Sequence, residues 1–271
     1  TGPALATRET AYTLKDVADA PVRQHGASIS LDGKGESCLY EGRVIDLRGE
    51  PIEGATVVVA RDQEEFVRSV SGRVRFDVVC ADLIWNRPDI EWTFDGLDVL
   101  DGLHHADRLA PVLLATQGHS MEIDHLEEAR LRPDVWGVVA KADGFGSLIG
   151  ALRTVAHGAK LDDMVPSPTH PPLYELFSGR RGITAARMAG AIAAGNASDN
   201  ATLASVAKVS PNTANKATSH YLGPLMLERG EHDDRLPLTQ ASVYRWCGLH
   251  ARYIVSWCRR HGHEDVLAPQ A

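Results

Sequence analysis

Phe76-Asp77-Val78-Val79-Cys80-Ala81-Asp82-Leu83 decides how the rest of the sequence is read. An apolar run rich in β-branched residues ends in a carboxylate. In a parallel sheet covered on both faces, strands read as continuous apolar runs rather than alternating ones. Side chains at the C-terminal ends of such strands face the crevice where ligands bind and chemistry occurs. Asp82 is therefore placed like a reactive or ligand-binding acid. The plainer alternative is a carboxylate that caps the next loop or helix.

Outward from this stretch, strands and helices alternate. Residues 55–60 read as an apolar strand and 64–70 as a helix, followed by the strand 77–81. A Trp-bearing insert, 84–94, and a loop into helix at 95–100 come next. Then 111–115 is a strand ending at Thr116, 122–130 a helix and 135–140 a strand ending at Lys141. An amphipathic helix over 146–157 closes the series, with Leu148, Ile149, Leu152 and Val155 on one side. That alternation predicts an α/β fold with a parallel sheet and helices on both faces. Asp62, Asp82, Thr116 and Lys141 would then stand at successive strand ends around one crevice. Two acids, a hydroxyl and an ammonium suit acyl-phosphate chemistry. One Asp is the nucleophile toward a phosphoryl group and a second acid helps to hold Mg²⁺. The hydroxyl and the lysine bind phosphoryl oxygens.

These motifs resemble, in order and spacing, a response-regulator receiver domain of the kind fused to LuxR/NarL-type DNA-binding domains. The matching residues are Asp77-Val78-Val79-Cys80-Ala81-Asp82-Leu83, Asp95-Gly96-Leu97, Pro111-Val112-Leu113-Leu114-Ala115-Thr116 and Gly137-Val138-Val139-Ala140-Lys141-Ala142. The resemblance implies a doubly wound, five-stranded parallel sheet over 55–160. It implies Asp82 as phosphoacceptor, Thr116 and Lys141 as switch residues, and Asp62 with Asp82 as holders of Mg²⁺. Where the family carries two adjacent acids, this chain has Arg61-Asp62. Arg61 removes a metal-site charge and could instead pair with Asp82. The loop after Asp82, with Trp85, Asn86, Arg87, Pro88 and Trp92, is longer than usual.

Residues 161–172 form a proline-rich linker, which favours a stiff extended spacer. Beyond it, 173–230 predicts an all-α domain with helices at 184–194, at 200–207 and from 212 towards 227. Ser210 is the N-cap and Pro211 the N1 residue of the third helix. Two short helices across a tight turn make a helix-turn-helix, whose second helix enters the major groove. Asn212, Thr213, Asn215, Lys216, Ser219 and His220 offer small donors and acceptors to base edges and phosphates. Between Ser178 and Leu222 the only acid is Asp199, against Arg180, Arg181, Arg187, Lys208 and Lys216. That local basic character suits DNA. Val209-Ser210-Pro211-Asn212-Thr213-Ala214 resembles the start of recognition in the LuxR/NarL helix-turn-helix. A packing of these helices into an ordinary bundle is the alternative. A final extension, 231–271, reads as one long helix over 238–261, with Val243, Trp246, Leu249, Tyr253 and Trp257 as its apolar stripe. His250, His261 and His263 read as surface residues.

The first 54 residues form a short β-rich extension. Within it, Asp32-Gly33-Lys34-Gly35-Glu36, Gly42-Arg43-Val44-Ile45-Asp46 and Pro51-Ile52-Glu53-Gly54-Ala55 resemble the opening of the intradiol ring-cleaving dioxygenase β-sandwich. That family's iron is held by two tyrosines and two histidines further along its chain, and the pattern does not continue past Val59. A hairpin arm is the expected structure.

Composition bounds the function. The 271 residues are 44% hydrophobic and 24% charged with a net charge of −8, as in a globular protein that does not coat nucleic acid generally. Cys38, Cys80, Cys247 and Cys258 are scattered, which favours reduced thiols over a disulfide framework or a zinc site. No apolar run reaches membrane-spanning length and no secretion pattern opens the sequence, so a cytoplasmic protein without membrane contact is expected. The expected function is a non-enzymatic transcriptional regulator that binds double-stranded DNA as a homodimer. Its receiver would answer to a histidine kinase or a small-molecule effector. The alternatives are a receiver-like protein- or ligand-binding module without DNA binding, and a dioxygenase-related protein.

Overall fold

The structure, a computed structural model, describes residues 58–72, 75–85, 90, 92–161 and 170–268. The N-terminal extension, the start of the strand expected at 55–60 and most of the linker lie outside them, as do Asn86, Arg87 and Pro88. The chain divides into two compact units that do not follow chain order. Of the described residues, the first unit takes those within 58–82, 98–118 and 133–161, and the second those within 83–97, 119–132 and 170–268. The segments 83–97 and 119–132, read in the sequence as parts of one stretch over 55–160, are thus grouped with the C-terminal helices.

In the first unit, strands β1 (Val79–Asp82), β2 (Val112–Thr116) and β3 (Val135–Ala140) form a parallel sheet in the order β1-β2-β3. Parallel neighbours need a crossover, and helix α2 (Gly96–His105) lies between β1 and β2 in sequence. All five β2 residues are buried, while β1 and β3 keep part-exposed positions. The expectation that the opening strand is buried on both faces therefore fails for β1. Cys80 is exposed. Val58, Val59 and Ala60 have no regular structure, so three strands stand among the described residues where five were expected. Helix α1 (Gln63–Ser71) buries Phe66 and Val70, and a Cβ on Gly102 of α2 would overlap the Phe66 ring.

Helix α4 (Gly144–Ala156) packs on β3 and β2. Leu113, Ala115, Val139 and Ala151 form the core there, with Leu148, Leu152 and Leu161 against it. Leu161 folds back over Gly137, where a Cβ would collide with it, and its N–H donates to the Trp136 carbonyl at 2.8 Å.

The second unit is helical. It comprises α3 (Ile123–Arg130), α5 (Leu173–Leu176), α6 (Gly179–Ala193), α7 (Asn200–Val206), α8 (Pro211–Asn215), α9 (Leu222–Glu228), α10 (Gln240–Leu249) and α11 (Ala251–Arg260). Helix α6 is the centre, packed by α7, α10 and α11. Its small residues Ala185, Ala186 and Ala189 are fully buried and let these helices approach closely. Leu83, Ile84, Phe94 and Leu97 also belong to this buried core.

Two predicted helices are broken. The helix expected from 212 towards 227 is α8, a π turn at Ala217–Tyr221 and then α9. Pro224 has no N–H to give the His220 carbonyl four residues back. Arg181 fills that role, its Nε donating to the same oxygen at 3.0 Å. The helix expected over 238–261 is α10 and α11, joined at His250. As a result Leu249, placed on the apolar stripe by its spacing, is exposed, while Val243, Trp246, Tyr253 and Trp257 are buried.

Candidate functional site

The strand-end site of the first unit is built by register. Asp82 is level with Ala115 on β2, and Thr116 with Ala140 on β3. Asp82, Thr116 and Lys141 therefore lie at adjoining C-terminal ends of three parallel strands. The Lys141 ammonium donates to Asp82 Oδ2 at 2.7 Å, with both side chains about one-third exposed. Thr116 is buried and its hydroxyl oxygen accepts from the Gly118 N–H at 2.9 Å. Gly118 has φ 78°, a left-handed conformation that suits glycine and turns the chain away from the strand.

Asp62 is spent differently. It is the N-cap of α1, its Oδ1 accepting from the Glu65 N–H at 2.9 Å. Arg61 lies 3.6 Å from the Glu65 carboxylate. Among the described residues no three His, Cys, Asp or Glu side chains come together as metal donors. With one acid capping a helix and the other neutralised by an ammonium, the donor set does not fit Mg²⁺.

The predicted DNA-binding residues lie on α8 and the π turn of the second unit. Asn212, Asn215, Lys216, Ser219 and His220 are exposed. Thr213 is half-buried, its N–H donating to the Ser210 Oγ at 3.1 Å. Ser210 is thus the N-cap, and Pro211 opens the helix as read from the sequence. Asn215 is held by the Asn200 amide at 3.0 Å, and Ser219 and His220 bond each other at 2.7 Å.

The basic character of this region is smaller than its sequence suggests. Asp265, distant in sequence, takes the Arg187 guanidinium through two hydrogen bonds, at 3.0 and 2.9 Å, and the Lys208 ammonium at 2.8 Å. Those hydrogen bonds hold the Asp265 carboxyl well below the usual range. Arg180 and Lys216 have no ion pair among the described residues.

No protein-family model matches the chain. Hydroxyquinol 1,2-dioxygenase of Rhizobium sp. (strain MTP-10005) is 43% identical over 63 residues, which is 23% of this chain. The chain spans about a fifth of the length of that relative, 21%. A solved structure of the Salmonella typhimurium RcsB response regulator, concerned with conformational dynamism in DNA interaction, matches 68% of this chain and 80% of its own. The identity there is 14% and the TM-score 0.32, an overall similarity too low to define a shared fold.

Sequence reading missed a buried charge cluster in the second unit. Helix α3 buries Asp124, His125, Glu127 and Glu128. Arg229, 3% exposed, donates to Asp124 at 2.8 Å and to Glu127 at 3.0 Å, and pairs with Glu231 at 2.9 Å. Arg260 grips Glu128 through both terminal nitrogens, at 2.6 and 2.7 Å, and the Tyr253 hydroxyl adds a third bond at 2.8 Å. Arg259 pairs with buried Asp95 at 3.0 Å. His250 lies between Asp124, 2.6 Å from Nδ1, and Glu231, 3.2 Å from Nε2. Burial opposes charge on the ring, but the two carboxylates outweigh it and raise the His250 pKa to about 9. Glu231 resists its own burial through bonds from His250, Arg229 and Trp246 and falls to about 2. His250 is therefore no surface residue, contrary to the sequence reading.

Proposed function

We propose that the chain is a DNA-binding regulator of the response-regulator type whose receiver-like unit is atypical. The observation that carries this reading is the 2.7 Å Asp82–Lys141 pair at adjoining parallel strand ends, with Thr116 on the strand between them. The exposed polar face of Asn212, Asn215, Lys216, Ser219 and His220 supports DNA as partner, with phosphates met by Lys216 and base edges by the amides. On this reading the protein is not an enzyme, binds paired half-sites as a homodimer, and is switched by a small effector rather than by Mg²⁺-dependent phosphorylation at Asp82. Lys141 bonds Asp82 Oδ2 and Asp62 caps a helix, an arrangement that supports an atypical pocket.

Incubation with acetyl phosphate and Mg²⁺ is expected to leave the intact mass and the oligomeric state unchanged. A gel-shift titration against the gene's own upstream DNA should give a salt-sensitive, sequence-specific complex. Lys216→Ala should weaken binding to every sequence, and Asn212→Ala should mainly relax base preference. A phosphoryl adduct lost in Asp82→Ala would restore the phosphorylated reading. A second reading, a dioxygenase-related protein, draws on the 43% identity over 63 residues. Bound iron without any DNA complex would favour it.

A further inference from the structure

The recognition face continues beyond the two short helices. Asp199 caps α7, its Oδ1 accepting from the N–H groups of Ala201 and Thr202 at 2.8 and 2.9 Å. That cap fixes Asn200 as the first residue of the helix. Thr239 caps α10 in the same way, accepting from the Ser242 N–H at 3.1 Å, which fixes Gln240 as its first residue. Two amide side chains thus start from rigid helix N-termini. Gln240 Nε2 donates to Asn200 Oδ1 at 3.3 Å, and Asn200 Nδ2 donates to Asn215 Oδ1 at 3.0 Å. Three amides from α10, α7 and α8 form a ladder that runs in one direction.

We infer that Gln240 and Asn200 are positioning residues that set which end of the Asn215 amide faces the DNA. The inference rests on the DNA-binding reading above. With its carbonyl accepting from Asn200, Asn215 keeps its NH₂ group to give, on the segment that carries the exposed Asn212 and Lys216. A donor at that place reads an acceptor on a base edge, such as guanine O6 or N7 or thymine O4. Gln240 stands at the far end of the ladder as its donor. A carboxylate at 240 can only accept. It would draw the Asn200 NH₂ towards itself, turn the Asn200 carbonyl to Asn215 and leave the Asn215 carbonyl outward. An outward acceptor reads an amino group, on adenine N6 or cytosine N4.

The test is Gln240→Glu in the full chain, followed by selection from randomised DNA. At one position of each half-site, preference should move from a guanine or thymine to an adenine or cytosine, by roughly tenfold in relative occupancy. Gln240→Ala should only blur that position, and Asn215→Ala should abolish preference there in both backgrounds. The added negative charge lowers affinity for all sequences alike, so the ratio between sequences is the readout. In the free protein, the ¹⁵N side-chain amide resonance identified by its loss in Asn215→Asp should shift in Gln240→Glu. If that resonance stays where it is, the ladder does not orient Asn215 and the inference falls. If it shifts and the wild type binds specifically, but selected sequences are the same in both proteins, the inference falls and the DNA-binding reading stands. If the resonance shifts and the wild type binds no DNA, both fall.

Discussion

Arg229 and His250 set the electrostatics of the second unit. Arg229 is the common partner of Asp124, Glu127 and Glu231, and it is almost fully buried. Removing one partner of a buried ion cluster leaves uncompensated charge and costs about 3–5 kcal/mol. Arg229→Ala should therefore lower the unfolding free energy measured in urea by an amount of that size. The His250 pKa is raised in the folded state from an ordinary 6.5 to about 9. Its contribution is thus complete below pH 6.5 and is lost as pH rises through 9; it amounts to at most about 3 kcal/mol. Melting temperature should fall between pH 7 and 10, and His250→Gln should remove most of that slope. Glu231 acts at the other end, with a contribution present above its ordinary 4.5 and lost as pH falls towards 2. Asp82, Thr116 and Lys141 were legible because each ends an apolar run. The cluster was not, because 122–130 reads only as a helix, and nothing in Asp124, His125, Glu127 and Glu128 themselves marks that face as buried. Their cations lie far along the chain, and no local period announces such pairs.

Among the elements, boundaries followed local chemistry where capping or β-branched runs decided them. Strand β3 runs over 135–140 as read, and Ser210 and Pro211 start their helix as their types predict. Reading failed where tertiary demands broke a good period. Apolar spacing carried 238–261 through His250 as one helix, yet the ring is held by Asp124 and Glu231 and the backbone there departs from helical values, at φ −98° and ψ 11°. The described end of the strand expected at 55–60 and the full burial expected of β1 failed because a run of Val and Ala states preference, not pairing. The π turn has its own requirement at Gly223. A Cβ there would overlap the Thr218 carbonyl oxygen and a Leu238 methyl group. Overpacking of this kind costs about 1–3 kcal/mol. Gly223→Ala should lower the urea midpoint accordingly, and it should do so without altering the pH slope assigned to His250.

On the scale of the whole molecule, the units interleave along the chain. A fragment ending near residue 161 would contain α3 but neither Arg229, His250 nor Arg260. Its acids would then have to be hydrated or protonated, and α3 would lose its packing against α5 and its bonds to α11. Such a fragment, expressed alone, should show weak cooperativity in thermal circular dichroism and rapid proteolysis within 119–132. The linker read from the prolines between 161 and 172 marks a change of composition, but a change of composition does not tell which segments share a core. Among the described residues, no helix is long and apolar enough to cross a membrane.

The grip of Arg229 and Arg260 on α3 gives the molecule the character of a split protein. A protease site engineered between residues 161 and 170 would sever the backbone but not the assembly. The N-terminal piece carries the acidic plug, and the C-terminal piece carries the guanidinium socket that fits it. The nicked chain should elute as one particle at neutral pH, and two separately produced pieces should find each other.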